Sequence, residues 1–140
     1  MTDDGEVRVP SWSMAFRFCV ASVPEVRAHV RNAVTAWGCD ADLVGDAELV
    51  AAELAANAVL HGQAPGWELF TVRLVPGASG LTVEVDDGSP QLPKLVRHGE
   101  NDEGGRGLLI IEALSQRWGA DLRAGSGKRT WALLTMRVHR

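Results

Sequence analysis

Hydrophobic positions in this chain follow two spacings, that of a strand and that of a helix. Over residues 14–20 every second residue is apolar, which is the pattern of a strand with one buried face. Apolar residues at helical spacing then predict one helix over 22–37 and a second over 42–61. Gly38 and Gly62 stand at the expected stops, and Ser22 with Glu25 has the spacing of a capping box at the first start.

The second half of the chain predicts two hairpins separated by a polar segment and a third helix. Strand-like alternation covers 70–74 and 81–85, on either side of a turn at 76–80. Residues 88–104 are polar without periodicity, which is typical of a functional or mobile loop. A helix over 108–118 and a closing hairpin over 120–138, with its turn at 125–128, complete the pattern.

This order of elements is strand, helix, helix, hairpin, loop, helix, hairpin. It predicts an α+β fold, a two-layer sandwich in which helices cover one face of a mixed sheet. We expect residues 1–12 to form a flexible tail and residues 13–140 to form one domain, since 140 residues suffice for a single core.

The second predicted helix carries a row of polar residues beside its apolar stripe. Glu53, Asn57 and His61 are spaced four residues apart and therefore share one face. A carboxamide oxygen is a ligand suited to Mg²⁺, and a nearby carboxylate could accept a proton from an attacking hydroxyl. The alternative is a solvated helix face, with His61 favoured near the C-terminal end by the helix dipole.

Two aspartates follow the alternating run 81–85. Because side chains alternate along a strand, Asp87 continues the apolar, inward face while Asp86 points the other way. A buried carboxylate needs a hydrogen-bonding partner, and an exocyclic amino group such as that of adenine would supply one. The alternative is an ordinary Asp-Gly turn at Asp87-Gly88.

A glycine-rich run, Gly104-Gly105-Arg106-Gly107, lies just before the third predicted helix. Glycines let backbone N–H groups approach an anion, and a helix N-terminus adds positive potential there. The dinucleotide-binding pattern fails because Ile110 occupies its third glycine position, and the Walker pattern ending at Lys128 fails because Leu122 replaces its first glycine.

Composition narrows the function classes. The net charge of −4, with no basic stripe, argues against a nucleic-acid partner. No apolar run reaches the roughly 20 residues of a membrane span, and the acidic N-terminus has no signal-peptide pattern. The two cysteines, Cys19 and Cys39, form no C-x-x-C pair, which suits a reduced, cytoplasmic protein.

The three motifs, in this order and at this spacing, resemble the GHKL superfamily of ATP-binding domains, shared by histidine kinases, gyrase-type ATPases and anti-sigma-factor kinases. The likeness is closer to the bacterial anti-sigma factor serine/threonine kinase group, including actinobacterial single-domain ATP-binding regulators. It covers residues 14–138, with the runs 46–62 and 105–119 as its most specific parts.

The resemblance implies ATP or ADP with Mg²⁺ as cofactors. It implies that Asn57 binds Mg²⁺, that Glu53 is the catalytic carboxylate and that Asp87 receives the adenine amino group. The residues expected to hold the nucleotide are Asn57, His61, Asp87, Ser89, Gly105, Arg106, Gly107, Leu108, Lys128 and Thr130.

The sequence departs from the family pattern where Ser89 and Pro90 follow Asp87-Gly88, since the family often has Asp-x-Gly-x-Gly. If Asp86 were the adenine residue, Gly88 would match the first glycine, but strand parity favours Asp87.

The resemblance implies a cytoplasmic protein kinase that phosphorylates serine or threonine on an anti-sigma-factor antagonist and also binds a sigma factor. The alternatives are a nucleotide-binding interaction module with little or no kinase activity, and a free-standing ATPase. A homodimer is compatible with the sequence. A complete sensor histidine kinase is not expected, because 140 residues leave no room for a phosphoacceptor helix pair.

Overall fold

The computed structural model describes residues 11–93 and 103–136, with side chains from residue 107 onward in the second range. The elements in chain order are β1 (Trp12–Arg17), α1 (Ser22–Ala36), α2 (Ala41–His61), β2 (Leu69–Gly77), β3 (Gly80–Asp87), α3 (Glu103–Leu114), β4 (Arg117–Leu122) and β5 (Lys128–Leu134).

The strands form one five-stranded sheet in the order β1-β2-β3-β5-β4, and all four described pairings are antiparallel. The predicted α+β sandwich is confirmed, but the prediction of a mixed sheet is wrong. The crossover through α3 makes β4 run in the same direction as β3. However, β5 lies between these two strands, so the two parallel strands are not neighbours.

The core lies between the sheet and the helices. Alternate residues of β2, Phe70, Val72 and Leu74, are fully buried, as are Val30 of α1 and Leu54 of α2. Burying a side chain of this size stabilises the fold by roughly 1.5–3 kcal/mol. The period-2 and period-3.6 apolar patterns therefore meet in one layer, as expected for helices covering one sheet face.

The two long helices begin differently. At α2 the Asp40 carboxylate accepts a hydrogen bond from the Leu43 N–H at 2.9 Å, a regular N-terminal cap. At α1 the predicted capping box is absent, because the Ser22 hydroxyl instead donates to the Arg17 carbonyl at 2.8 Å. That bond ties the start of α1 to the end of β1.

Three predicted boundaries in the second half are corrected by the structure. The glycine run 104–107 forms the first turn of α3, which begins at Glu103, and is not a loop that precedes the helix. The helix ends at Leu114, because Trp118 pairs with Ala132 in the sheet. Lys128 is not part of the turn: it is the first residue of β5 and lies directly across from Asp87.

Two predictions lie mostly outside the described residues. Most of the proposed mobile segment, residues 94–102, and most of the proposed tail, residues 1–10, belong to this part of the chain. Both therefore stay predictions, although Trp12 already belongs to β1. Within the described ranges, no helix combines the length and hydrophobicity that a bilayer crossing requires.

Candidate functional site

The middle of α2 lies against the first turn of α3. A Cβ added to Gly107 would lie only 2.6 Å from the Oε1 atom of Glu53. A side chain at position 107 would therefore displace this carboxylate or push the helices apart. The absence of a side chain at Gly107 is what brings the Glu53 carboxylate to the beginning of α3, where helix N–H groups concentrate.

One turn further along α2 lies the carboxamide of Asn57. Its Nδ2 atom is buried and finds no hydrogen-bond partner among the described residues. A buried amide nitrogen without a hydrogen-bond partner is costly. A half-turn of the carboxamide exchanges the positions of its nitrogen and its oxygen. The side chain is therefore available to a ligand.

The donor set on this face fits Mg²⁺. The described residues contain no group of three or more His, Cys, Asp or Glu that could hold a metal by themselves. Mg²⁺ does not require such a group, because it is usually held by one or two protein oxygens together with phosphate and water. Asn57, with Glu53 one helical turn away, supplies that kind of set.

The end of α2 meets the end of β3. A Cβ at Gly62, the residue that follows α2, would lie 2.6 Å from both Cγ and Oδ2 of Asp87. The Gly62 carbonyl also accepts a hydrogen bond from the Gly88 N–H at 3.0 Å. Glycine at this helix stop thus allows the carboxylate to lie directly against the helix end.

Asp87 is buried on the helix-facing side of the sheet, and it is paired. The Lys128 ammonium donates to both of its oxygens, at 3.0 and 3.1 Å, and the Ser89 N–H donates to Oδ1 at 3.0 Å. Burial raises the pKa of Asp87 above its ordinary value, against the opposing influence of Lys128. Thr130, also buried, lies on the same face two residues further along β5.

Trp67 packs against the Asp87 end of the site. Its indole packs against Gly88 and Gly127, the residues next to Asp87 and Lys128, and its Nε1 donates to the Ser126 hydroxyl at 3.3 Å. No local pattern around Trp67 could reveal the contact, since 59 residues separate it from Ser126.

Asp86, on the opposite face of β3, has a different environment. Its oxygens accept hydrogen bonds from Arg129 at 2.8 and 3.0 Å, from Arg123, and from Arg73 at 3.5 Å. Burial alone would raise the pKa of Asp86, but the guanidinium groups of Arg129 and Arg123 outweigh it and lower this pKa. The arrangement is a surface network on the sheet face that the helices leave open.

The structure brings the predicted residues together in two groups. Asp87, Ser89, Lys128 and Thr130 surround the end of β3, while Glu53 lies beside Gly107, with Asn57 one turn further along α2 and the buried Leu108 next to Gly107 in α3. His61 is exposed in the last turn of α2, at the Asp87 end. Gly105 belongs to the first turn of α3, and the side chain of Arg106 lies outside the described part of the chain. Sequence reasoning missed Gly62 as a contact of Asp87.

Comparison with known protein families gives a decisive match. The family model described as "Histidine kinase-like ATPase domain" matches residues 16–136. The chain belongs to this family. The resemblance to GHKL ATP-binding domains is thereby confirmed at the level of the superfamily.

Two individual proteins add detail. An uncharacterized protein of Streptomyces coelicolor is 45% identical over 56 residues, which is 38% of this chain. The match spans about half, 53%, of that relative's length. A crystal structure of the RsbU and RsbW domains of Rv1364c from Mycobacterium tuberculosis superimposes with a TM-score of 0.67 at 20% identity. It covers 94% of this chain and 34% of the other, and supports the fold of the histidine kinase-like ATPase domain described here.

Proposed function

We propose that this protein is an ATP-binding regulator, an anti-sigma factor with serine/threonine kinase activity toward an anti-sigma-factor antagonist. The nucleotide lies along α2 on the helix face of the sheet. Asp87 accepts a hydrogen bond from the adenine amino group, and the first turn of α3 faces the phosphates.

The observation that carries this proposal is the pair of contacts made by α2. At one contact Glu53 meets Gly107, and at the other Gly62 meets Asp87. Gly62 follows Glu53 by nine positions, which corresponds to about 13 Å along the helix axis. That length suits a nucleotide whose base binds at the aspartate and whose phosphates reach the glycine turn of α3.

The α2 residues have separate roles in this proposal. Asn57 holds Mg²⁺, which neutralises the charge of the phosphate oxygens when it is bound. Glu53 accepts the proton of the attacking serine or threonine hydroxyl. The hydroxyl oxygen bonds to the terminal phosphorus of ATP as ADP departs. Gly107 leaves the carboxylate unobstructed at the start of α3. His61, Ser89 and Thr130 border the base end.

The choice of partner is supported by fold likeness. The structural relative contains an RsbW domain. We extend from it the expectation of a sigma factor and an antagonist as partners, and of a cytoplasmic location for this chain.

Replacing Glu53 by Gln tests the kinase. The amide keeps the shape but cannot accept a proton, so nucleotide binding should persist while transfer falls by roughly 10²–10⁴-fold. The assay measures labelled phosphate transferred from ATP to an antagonist encoded beside the gene. Glu48→Gln is the matched control: it lies on the same helix, but Glu48 pairs with Arg31 at 2.9 Å and faces α1. Equal transfer by wild type and Glu53→Gln would remove Glu53 from the chemistry.

A second candidate, a nucleotide-binding module without transfer, is favoured by one observation. Ser89 and Pro90 replace the glycine-rich continuation after Asp87-Gly88, and the Ser89 N–H is already bonded to Asp87. Saturable ATP binding together with no transfer to any antagonist would support this module over the kinase.

A further inference from the structure

The carboxylate of Asp87 has few acceptor positions left for a ligand. Two carboxylate oxygens offer about four lone-pair sites. Lys128 Nζ lies nearly equidistant from the two oxygens, at 3.0 and 3.1 Å, and Oδ1 also accepts from the Ser89 N–H. Among the described residues, three of the four sites are thus taken, and the fourth belongs to Oδ2, the oxygen beside Gly62.

The position of Lys128 determines from which side a ligand can reach the Asp87 carboxylate. An ammonium that bridges both oxygens occupies the side of the carboxylate where a pair of parallel N–H donors would bind. Lys128 is held there by a third bond, to the Ser89 carbonyl at 3.3 Å, so all three of its N–H donors are used. It is also buried and lies directly across from Asp87 in the β3–β5 register.

We propose that Lys128 determines the base specificity of this site by occupying the two-oxygen side of Asp87, which leaves a single acceptor for one amino donor. Adenine presents one exocyclic amino group with an acceptor beside it, and it fits this arrangement. Guanine presents adjacent N1–H and N2–H donors, which require two acceptors, and one donor would be buried without a partner. The inference rests on the proposed binding of a nucleotide base at Asp87.

The test compares the affinities of ADP and GDP by calorimetry at pH 8. Wild type should prefer ADP by roughly tenfold or more, the cost of an unpaired buried donor. In Lys128→Met the two-oxygen side is free, and the preference should fall to about threefold or less. Arg129→Met is the matched control: it removes a cation from the next residue of β5, but on the Asp86 side, and should keep the preference.

A second variant keeps the test independent of folding. Lys128→Met leaves a buried carboxylate without its cation and could unfold, which a thermal melt would reveal. Lys128→Gln retains one N–H donor for Asp87 while freeing part of the two-oxygen side, so the preference should fall in a folded protein.

The outcomes separate this inference from the proposed function. If wild type binds neither nucleotide, both are wrong. If wild type prefers ADP and the folded Lys128 variants keep the same preference, base selection by Lys128 is wrong while nucleotide binding stands. If the variants bind ADP more tightly with an unchanged ratio, Lys128 competes with the base and does not select it, which also overturns the inference.

Discussion

Asp86 and Asp87 are the same residue type at successive positions of one strand, yet they lie in opposite environments. Asp87 faces the helices and pairs with Lys128, whose side chain is only 6% exposed. Asp86 faces the open side of the sheet and pairs with Arg73, Arg123 and Arg129, which are 30–40% exposed. Strand alternation alone separates the two carboxylates.

The difference shows how burial of the cation changes the energetic contribution of an ion pair. Water screens the arginines around Asp86, so each of those ion pairs is worth little and the loss of one leaves no cation stranded. Lys128 has no such access to water, and its ammonium is paired with the Asp87 carboxylate. A buried pair at a strand end is a weak way to gain stability, which is one reason to assign Asp87 a binding role.

The largest expected difference between Asp86 and Asp87 is in the free energy of unfolding that is lost when each is replaced by alanine. Asp87→Ala strands the Lys128 ammonium in the interior and should cost about 3–5 kcal/mol of unfolding free energy. Asp86→Ala leaves its arginines in contact with water and should cost about 1–2 kcal/mol. Urea denaturation of both variants measures this difference, and equal losses would show that burial of the cation is not what distinguishes the two sites.

The second expected difference between the two aspartates is in the affinity for ADP. Asp87→Asn can present an amide donor where the adenine amino group needs an acceptor, and should weaken ADP binding by about 1–3 kcal/mol. Asp86→Asn, on the other face, should change it by less than about 0.5 kcal/mol. Calorimetric titration of both folded variants decides; the opposite ranking would move the adenine contact to Asp86.

The Mg²⁺ dependence of binding extends the comparison to α2. Asn57→Ala removes the carboxamide on the helix face, and we expect it to lose roughly tenfold, about 1.4 kcal/mol, of Mg²⁺-dependent ATP affinity. Asn32→Ala, an exposed position on α1, is the control. Titrations with and without Mg²⁺ measure the effect. A variant with the wild-type Mg²⁺ dependence would exclude Asn57 as the metal ligand.

Acid should act on the two aspartates with opposite sign. The lowered pKa of Asp86 gives stability that is present above the unfolded-state value, near pH 4, and is lost as the pH falls through the lower folded-state value. The raised pKa of Asp87 means that the folded state takes up its proton first as the pH falls, so protonation there adds stability, which is lost again as the pH rises through the raised folded-state value.

Unfolding free energies between pH 3 and 7 measure this smallest effect. Asp86→Asn should flatten the loss of stability in acid, whereas Asp87→Asn should steepen it. The same change of slope in both variants would contradict the assigned directions.

Much of this arrangement follows from local patterns. Period-2 alternation over residues 81–85 was enough to predict that Asp87 faces the helices and Asp86 does not, and the structure has them so. The spacing of Glu53 and Asn57 likewise predicted a shared face on α2. These features depend only on the geometry of one strand or one helix.

What the sequence did not reveal depends on register between distant elements. Lys128 was assigned to a turn because Gly125 and Gly127 precede it, and only the pairing of β3 with β5 places it across from Asp87. The contact of Gly62 with Asp87 and the packing of Trp67 against Gly127 also join residues far apart in the chain. The mixed sheet was mispredicted for the same reason, since no local pattern tells that β5 lies between β3 and β4.

The central claim is that the helix face of this sheet, between Asp87 and Glu53, binds an adenine nucleotide. Calorimetric titration of the folded wild-type protein with ADP and Mg²⁺ tests it most directly. We expect saturable binding of one nucleotide per chain, with a dissociation constant between about 1 μM and 1 mM, or roughly 4–8 kcal/mol. No saturable heat from either ADP or ATP, with and without Mg²⁺, would contradict it.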